Sequence, residues 1–280
     1  RLVDMINNSV YKNIKLYAQK IHGAKSFVEF NYRSTLTTKE IADMVVISVA
    51  SSQREIVFQK ITFIQNKVGK NKNWDIDDEQ LFLLKNFPTF SGSKGIFKSF
   101  SDEQITFSNN TKCLGSYGLF MDPGEMVFLS APLLSELVIN NKIEIKNIRL
   151  PEKIDTLRNS DSFFQFILFN DLFPGLLPRY LEGFGFITPF LSNKPFPFLN
   201  NSIFARDVYD FVQDWTRFNI GEPTYAFGKV INPTLYEFTN FLLKTTGIKN
   251  NVNLPLEGTE GEFDSGMALF VMHIDIGELR

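Results

Sequence analysis

The chain has 280 residues and a formal net charge of −2, with 44% hydrophobic and 21% charged residues, proportions that indicate a folded globular protein and exclude a disordered one. Its single cysteine and two histidines exclude a disulfide framework, a paired-cysteine zinc site and a multi-histidine metal centre. The near-neutral charge excludes a protein that coats nucleic acid through overall basicity, but it is compatible with an enzyme that meets DNA through one local patch.

The first third of the sequence predicts a helix and then three strands. Apolar residues at helical spacing predict an amphipathic helix over residues 5–21, and alternation of polar and apolar residues predicts a short strand at 26–31. The β-branched run at 41–50 predicts a buried strand. A polar turn joins this strand to another at 55–65, so the two are expected to form an antiparallel hairpin.

The rest of the chain mixes helices, short strands and loops, which predicts an α/β or α+β fold. Asp77 is a suitable N-cap for a short helix over 77–86. No apolar stretch approaches the ~18 residues that cross a bilayer, so no membrane partner is expected. The other expected elements are short strands within 90–130, helices at 162–173, 204–218 and 234–245, and a buried strand at 267–276.

A polar segment at 147–160 is the best candidate for a domain boundary. We therefore divide the sequence into residues 1–150 and an α+β region, 151–280, which either completes the same globule or binds a partner. Phenylalanine is unusually common in the chain, with 30 residues, and such residues most simply build a thick core.

The clearest chemistry lies on the predicted hairpin. Asp43 stands near the start of its first strand, and Gln65 and Lys67 stand at the end of its second strand. Strand alternation puts Gln65 and Lys67 on one face and Asn66 on the other. A carboxylate, an amide oxygen and an ammonium group are therefore expected together, a set that suits metal-assisted phosphodiester hydrolysis.

The spacing of Asp43 and the Gln65-x-Lys67 pair resembles the PD-(D/E)XK restriction-endonuclease-like superfamily, in the variant with Gln in place of the second acid. Ala42 before Asp43 and the segment 78–84 (DEQLFLL) resemble uncharacterised members with an AD…QxK…QL arrangement. The resemblance covers roughly residues 25–90. It implies a restriction-endonuclease-like core in residues 1–150, with a mixed central sheet flanked by helices, and a cytoplasmic protein that hydrolyses or binds DNA.

The resemblance also implies roles for individual residues. Asp43 and Gln65 would hold Mg²⁺ or Mn²⁺, and Lys67 would orient the attacking water or neutralise charge on the phosphate. Family members usually carry an upstream Glu, for which Glu29 is the nearest match. The missing second acid and the near-neutral charge favour the alternative, a non-catalytic interaction protein that keeps the fold. A homo-oligomer is compatible with either.

A local excess of basic residues follows the hairpin turn, with five basic residues against one acidic residue between positions 53 and 72. Lys60, Lys70 and Lys72 are candidates to contact a phosphate backbone, and Trp74 is a candidate to stack on a base. The alternative is a solvated loop whose tryptophan packs inward.

Three weaker candidates remain. The acidic loop at 257–264 suits a sugar hydrolase with paired carboxylates, but an acidic surface loop is the favoured interpretation. Cys113 with a histidine has the composition of a thiol nucleophile and its base, but a small buried cysteine is the usual case. His273 lies within an apolar strand and is expected to be a hydrogen-bonded core histidine.

Overall fold

The computed structural model describes residues 14–20, 26–53, 55–69, 73–121, 126–140, 202–245 and 267–277. Within these ranges the chain forms a nine-stranded mixed sheet, a three-stranded antiparallel sheet and four α-helices. The mixed α/β class predicted from the sequence is thereby confirmed. None of the helices in these ranges has the length and hydropathy needed to cross a membrane.

The elements are named in chain order. The large sheet contains β1 (Ile14–Lys20), β4 (Met44–Ser52), β5 (Glu55–Val68), β7 (Gly115–Phe120), β8 (Met126–Ser130), β9 (Phe204–Ala205), β10 (Glu222–Ala226), β11 (Lys229–Val230) and β12 (Ala268–Asp275). The small sheet contains β2 (Phe27–Tyr32), β3 (Thr35–Glu40) and β6 (Phe90–Gly92). The helices are α1 (Asp78–Asn86), α2 (Ala131–Asn140), α3 (Val208–Thr216) and α4 (Pro233–Thr245), with a 3₁₀ helix at Gly95–Phe100.

The centre of the large sheet is the predicted hairpin. β4 and β5 are antiparallel neighbours, and β7 lies parallel to the second half of β5. A parallel pair needs a crossover connection, and α1 lies in the segment that joins β5 to β7. On the other side of the hairpin, β12 lies parallel to β4 and antiparallel to β1.

The two faces of the large sheet carry separate cores. On one face, which we call the α1 face, Val45, Phe63 and Tyr117 belong to the same cluster as residues of α1, α2 and α4. The opposite face packs against α3 through Phe211 and Trp215. Many of the phenylalanines belong to the α1-face cluster, where the ring of Phe63 contacts the rings of Phe87, Phe107 and Phe238.

The helix predicted over residues 5–21 is wrong where the structure describes it, because residues 14–20 form β1 instead. β1 pairs along its whole length with β12, and this pairing covers one edge of an apolar strand that would otherwise be open. Non-local pairing therefore overrides the helical spacing of the apolar residues. Residues 5–13 lie outside the described ranges.

Strands from both halves of the sequence share the large sheet. β12, near the C-terminal end of the sequence, lies between β1 and β4, and β10 pairs with β5. The candidate boundary at 147–160 lies outside the described residues, as does the predicted helix at 162–173. The predicted helices at 204–218 and 234–245 correspond to α3 and α4, and the strand at 267–276 to β12.

A close contact fixes α1 on the sheet. A Cβ atom at Gly115 would lie 2.1 Å from the backbone oxygen of Leu84, so only glycine lets the helix approach β7 this closely. The N-cap predicted for this helix is confirmed, because the Asp77 carboxylate accepts a hydrogen bond of 2.8 Å from the Gln80 amide. These contacts place the start of α1 beside the C-terminal end of β5.

Candidate functional site

Asp43 is held at the centre of the large sheet by backbone contacts on both sides. It directly precedes β4. Its amide donates to the Ile64 oxygen at 3.2 Å, and its own carbonyl oxygen accepts from the Ala268 amide at 2.8 Å. Because both neighbours are paired strands, the Asp43 side chain has a fixed position at the strand ends.

The structure brings Asp43 and Gln65 together. The Asp43 Oδ2 atom accepts hydrogen bonds from the Gln65 side-chain amide and, at 2.8 Å, from the backbone amide of Asn66. An ionised carboxylate can only accept, so the Gln65 group that faces Asp43 is its NH₂. The remaining Gln65 oxygen, Oε1, is buried and has no hydrogen-bond partner.

Lys67 lies on the same sheet face as Gln65, two residues or ~7 Å further along β5. It is partly buried, and its positive charge acts on Asp77. Burial raises the pKa of Asp77, but hydrogen bonds from Lys39 and the Gln80 amide, with the charges of Lys39 and Lys67, outweigh burial and leave this pKa lowered. An ionised Asp77 therefore stands near the predicted site.

Sequence reasoning missed Tyr117, which is the direct β7 partner of Gln65 in the parallel register. The side chain is 0% exposed, and its hydroxyl group has no hydrogen-bond partner. Burial raises the pKa of Tyr117 well above its usual value, and the negative charges of Asp77 and Asp43 raise it further. Tyr117 therefore lies near the predicted site, and only the pairing of β5 with β7 reveals this.

The assignment of Glu29 to the site is corrected by the structure. Glu29 lies on β2 in the small sheet, and its carboxylate accepts hydrogen bonds from Ser93 at 2.8 Å and Thr38 at 3.5 Å. None of its described contacts involves Asp43, Gln65 or Lys67. The physical reason is that β2 pairs with β3 and β6 rather than with β4 or β5.

Two predicted nucleic-acid contacts are also corrected. Lys60 is only 1% exposed, so its ammonium group offers no surface to a phosphate. Trp74 is 2% exposed, and its indole nitrogen donates to the Phe120 carbonyl oxygen at 2.9 Å. The indole therefore packs inward, which agrees with the alternative given for this loop in the sequence analysis. Lys70 and Lys72 lie outside the described residues.

Lys60 instead lies in the protein interior, where it and Glu222 affect each other's pKa. Burial lowers the pKa of Lys60 to about 8, and burial raises the pKa of Glu222 to about 7. The Glu222 carboxylate accepts hydrogen bonds from the backbone amides of Asn110 at 3.2 Å and Thr111 at 2.9 Å. These hydrogen bonds connect β10 to the loop that precedes β7.

The raised pKa of Glu222 predicts a pH dependence of folding stability. Between pH 4.5, its ordinary pKa, and about 7, the unfolded chain releases the proton while the folded chain keeps it. The free energy of unfolding should therefore fall as pH rises through this window, by an amount on the order of 3 kcal/mol. Urea unfolding at a series of pH values measures it.

In the Glu222→Gln variant, the free energy of unfolding should fall less steeply with pH, because the glutamine side chain does not ionise. Exposed Glu237 lies on α4, and Glu237→Gln should keep the wild-type slope. Equal slopes for wild type and Glu222→Gln would contradict the assignment.

The remaining candidates have ordinary structural contacts. Cys113 is buried, and its thiol contacts the Ser202 carbonyl oxygen. The His273 Nε2 atom lies 2.8 Å from the Ser51 hydroxyl oxygen, so this histidine is hydrogen-bonded in the core as expected. The acidic loop at 257–264 lies outside the described residues.

A cation at Asp43 would need ligands other than a cluster of acids. The described part of the chain holds no group of three His, Cys, Asp or Glu residues arranged to bind a metal ion. The available oxygen atoms are the Asp43 carboxylate and the unpartnered Gln65 Oε1. Such a set fits Mg²⁺, which needs few protein ligands because it keeps waters and binds substrate phosphates.

Comparison with known proteins adds no relative: no family model, curated protein or solved structure matches this chain.

Proposed function

We propose that this protein is a metal-dependent nuclease that hydrolyses DNA phosphodiesters with Mg²⁺ or Mn²⁺. One observation carries the proposal: Asp43 and Gln65 are in contact at the ends of two central strands, with Lys67 on the same sheet face. A carboxylate, an amide oxygen and an ammonium group are the set that metal-assisted phosphodiester hydrolysis needs.

The unpartnered oxygen of Gln65 supports a cation site. Gln65 is only 8% exposed, and a buried polar atom without a partner costs ~1–3 kcal/mol. A cation held between this oxygen and the Asp43 carboxylate would offset that cost. When bound, a divalent cation lowers the pKa of its water and stabilises charge at phosphorus.

The protein's own residues would divide the remaining work. Asp43, held by the Ile64 and Ala268 backbones, would fix the position of the cation. Lys67 would stabilise negative charge on the attacked phosphate, because its ammonium group lies on the same face of β5. The ionised Asp77 near Lys67 would help to orient the Lys67 side chain.

The alternative is a non-catalytic protein with the same architecture, and one observation favours it. The Asp43 Oδ2 atom already accepts two hydrogen bonds from its own chain. A carboxylate bonded in this way also serves as a structural cap for the end of β5. The two functions differ in whether a divalent cation binds to the Asp43 carboxylate and the Gln65 amide oxygen.

A nicking assay separates the two functions. The full chain is incubated with supercoiled plasmid and with single-stranded DNA, in Mg²⁺, in Mn²⁺ and in excess chelator. Under the nuclease proposal, strand cleavage occurs with either cation and stops in chelator. Absence of cleavage of both substrates under all conditions would favour the non-catalytic alternative.

A further inference from the structure

Three buried polar atoms on the α1 face, at the end of the sheet near Asp43, have no hydrogen-bond partner among the described residues. They are Gln65 Oε1, the Tyr117 hydroxyl oxygen and Gln80 Nε2. The side chains are 8%, 0% and 5% exposed, respectively. Most buried polar atoms in folded proteins are hydrogen-bonded, so three exceptions at one end of this face require an explanation.

The contacts of α1 bring Gln80 near Tyr117. The Leu84 backbone lies directly over Gly115. Gln80 is one helical turn nearer the helix start, ~5 Å away, and Tyr117 is two residues further along β7, ~7 Å away. Both displacements lead towards the same end of the sheet, because Asp77 at the helix start lies near Lys67. Gln80 is therefore expected near Tyr117 on the α1 face.

Tyr117 in turn lies beside the Asp43–Gln65 contact. Tyr117 and Gln65 are register partners on neighbouring parallel strands, and their side chains share one face. The carboxylates of Asp43 and Asp77 are both close enough to act on the Tyr117 hydroxyl. The Tyr117 side chain therefore lies near both carboxylates and on the same sheet face as the unpartnered oxygen of Gln65.

We propose that Tyr117 is a positioning residue of the cation site, whose hydroxyl accepts a hydrogen bond from a water molecule on a divalent cation held by Asp43 and Gln65. The inference rests on the proposed function. Mg²⁺ in proteins keeps several of its waters, and groups that bond to the ligands of a metal fix their orientation. The Gln80 amide near Tyr117 extends the polar wall of the site.

Titration calorimetry with the full chain and MnCl₂ or MgCl₂ alone tests the role of Tyr117. Tyr117→Phe removes only the hydroxyl, and we expect it to weaken cation binding ~10–100-fold. Without a cation, the melting temperature should stay the same or rise, because the hydroxyl that is removed has no partner. A purely structural tyrosine would show the opposite pattern.

Tyr17→Phe is the matched control. Tyr17 belongs to the same core cluster but lies on β1, two strands away from β4, and it is 9% exposed. The Tyr17→Phe variant should bind the cation with the same affinity as the wild type.

The possible outcomes separate this inference from the proposed function. If the wild type binds no cation, both are overturned. If the wild type binds a cation, Asp43→Asn abolishes binding and Tyr117→Phe binds as tightly as the wild type, only the role of Tyr117 is overturned. A clear drop in the cation-free melting temperature of Tyr117→Phe would likewise overturn it.

Discussion

Replacing Asp43 by alanine is expected to reduce Mg²⁺-dependent DNA cleavage to background, because the variant loses the only carboxylate that contacts Gln65 in the described structure. Lys67→Ala should lower the rate ~10²–10³-fold, since it removes one group that stabilises charge in the transition state. Both rates are measured in the plasmid nicking assay at saturating cation.

Two controls accompany these variants. Glu103 and Lys98 are exposed and lie outside the site, so Glu103→Ala and Lys98→Ala should cleave at the wild-type rate. The Asp43 carboxylate also bonds to the Asn66 amide, so Asp43→Asn, which keeps the shape of the side chain, is tested beside Asp43→Ala. Unchanged cleavage by Asp43→Ala would place the activity elsewhere.

Gln65 should respond differently from Asp43. An amide oxygen is a weaker ligand than a carboxylate, so Gln65→Glu should retain or raise the cleavage activity at low Mg²⁺ concentration. Complete loss of activity in this variant would argue against Gln65 as a ligand.

Gly115→Ala is expected to cause the largest loss of stability among glycine-to-alanine substitutions in the strands of the large sheet that the structure describes. The added Cβ would lie 2.1 Å from the Leu84 oxygen, which is backbone and cannot turn away. Forced overpacking of this kind costs about 3 kcal/mol, and it would push α1 away from β7. Urea unfolding measures the loss, and cleavage should fall as well because Asp77 and Gln80 move with the helix.

Gly118→Ala is the matched control on the same strand. Its added Cβ would meet the Asn66 side-chain oxygen at 2.6 Å, on the opposite face of the sheet. A side-chain end can rotate aside, so the cost should stay below about 1 kcal/mol. Equal losses for the two variants would contradict the explanation from the helix contact.

The parts of the fold that were predictable from sequence depend on local signals. The β-branched run before a polar turn identifies the β4–β5 hairpin, and Asp77 three residues before Gln80 identifies the start of α1. Hairpin pairing also follows from chain order, which is why the proximity of Asp43 and Gln65 was accessible without a structure.

The wrong predictions concern interactions between distant segments. The apolar spacing before residue 21 matches a helix, but β12 pairs with that segment from more than 200 residues further along the chain. Glu29 precedes Asp43 in the sequence, as the resemblance requires, but it lies in the small sheet, separate from Asp43 and Gln65. Lys60 carries a charge that usually lies at a surface, yet β10 and its Glu222 bury it.

The most direct test of the central claim is a crystal structure of the full chain soaked in MnCl₂, with the ion located by its anomalous scattering. The nuclease proposal predicts one Mn²⁺ ion bound directly to an Asp43 carboxylate oxygen and to Gln65 Oε1, at ~2.1 Å, with Lys67 on the same side of the sheet. Mn²⁺ bound only elsewhere, with the Asp43–Gln65 hydrogen bond intact, would contradict it.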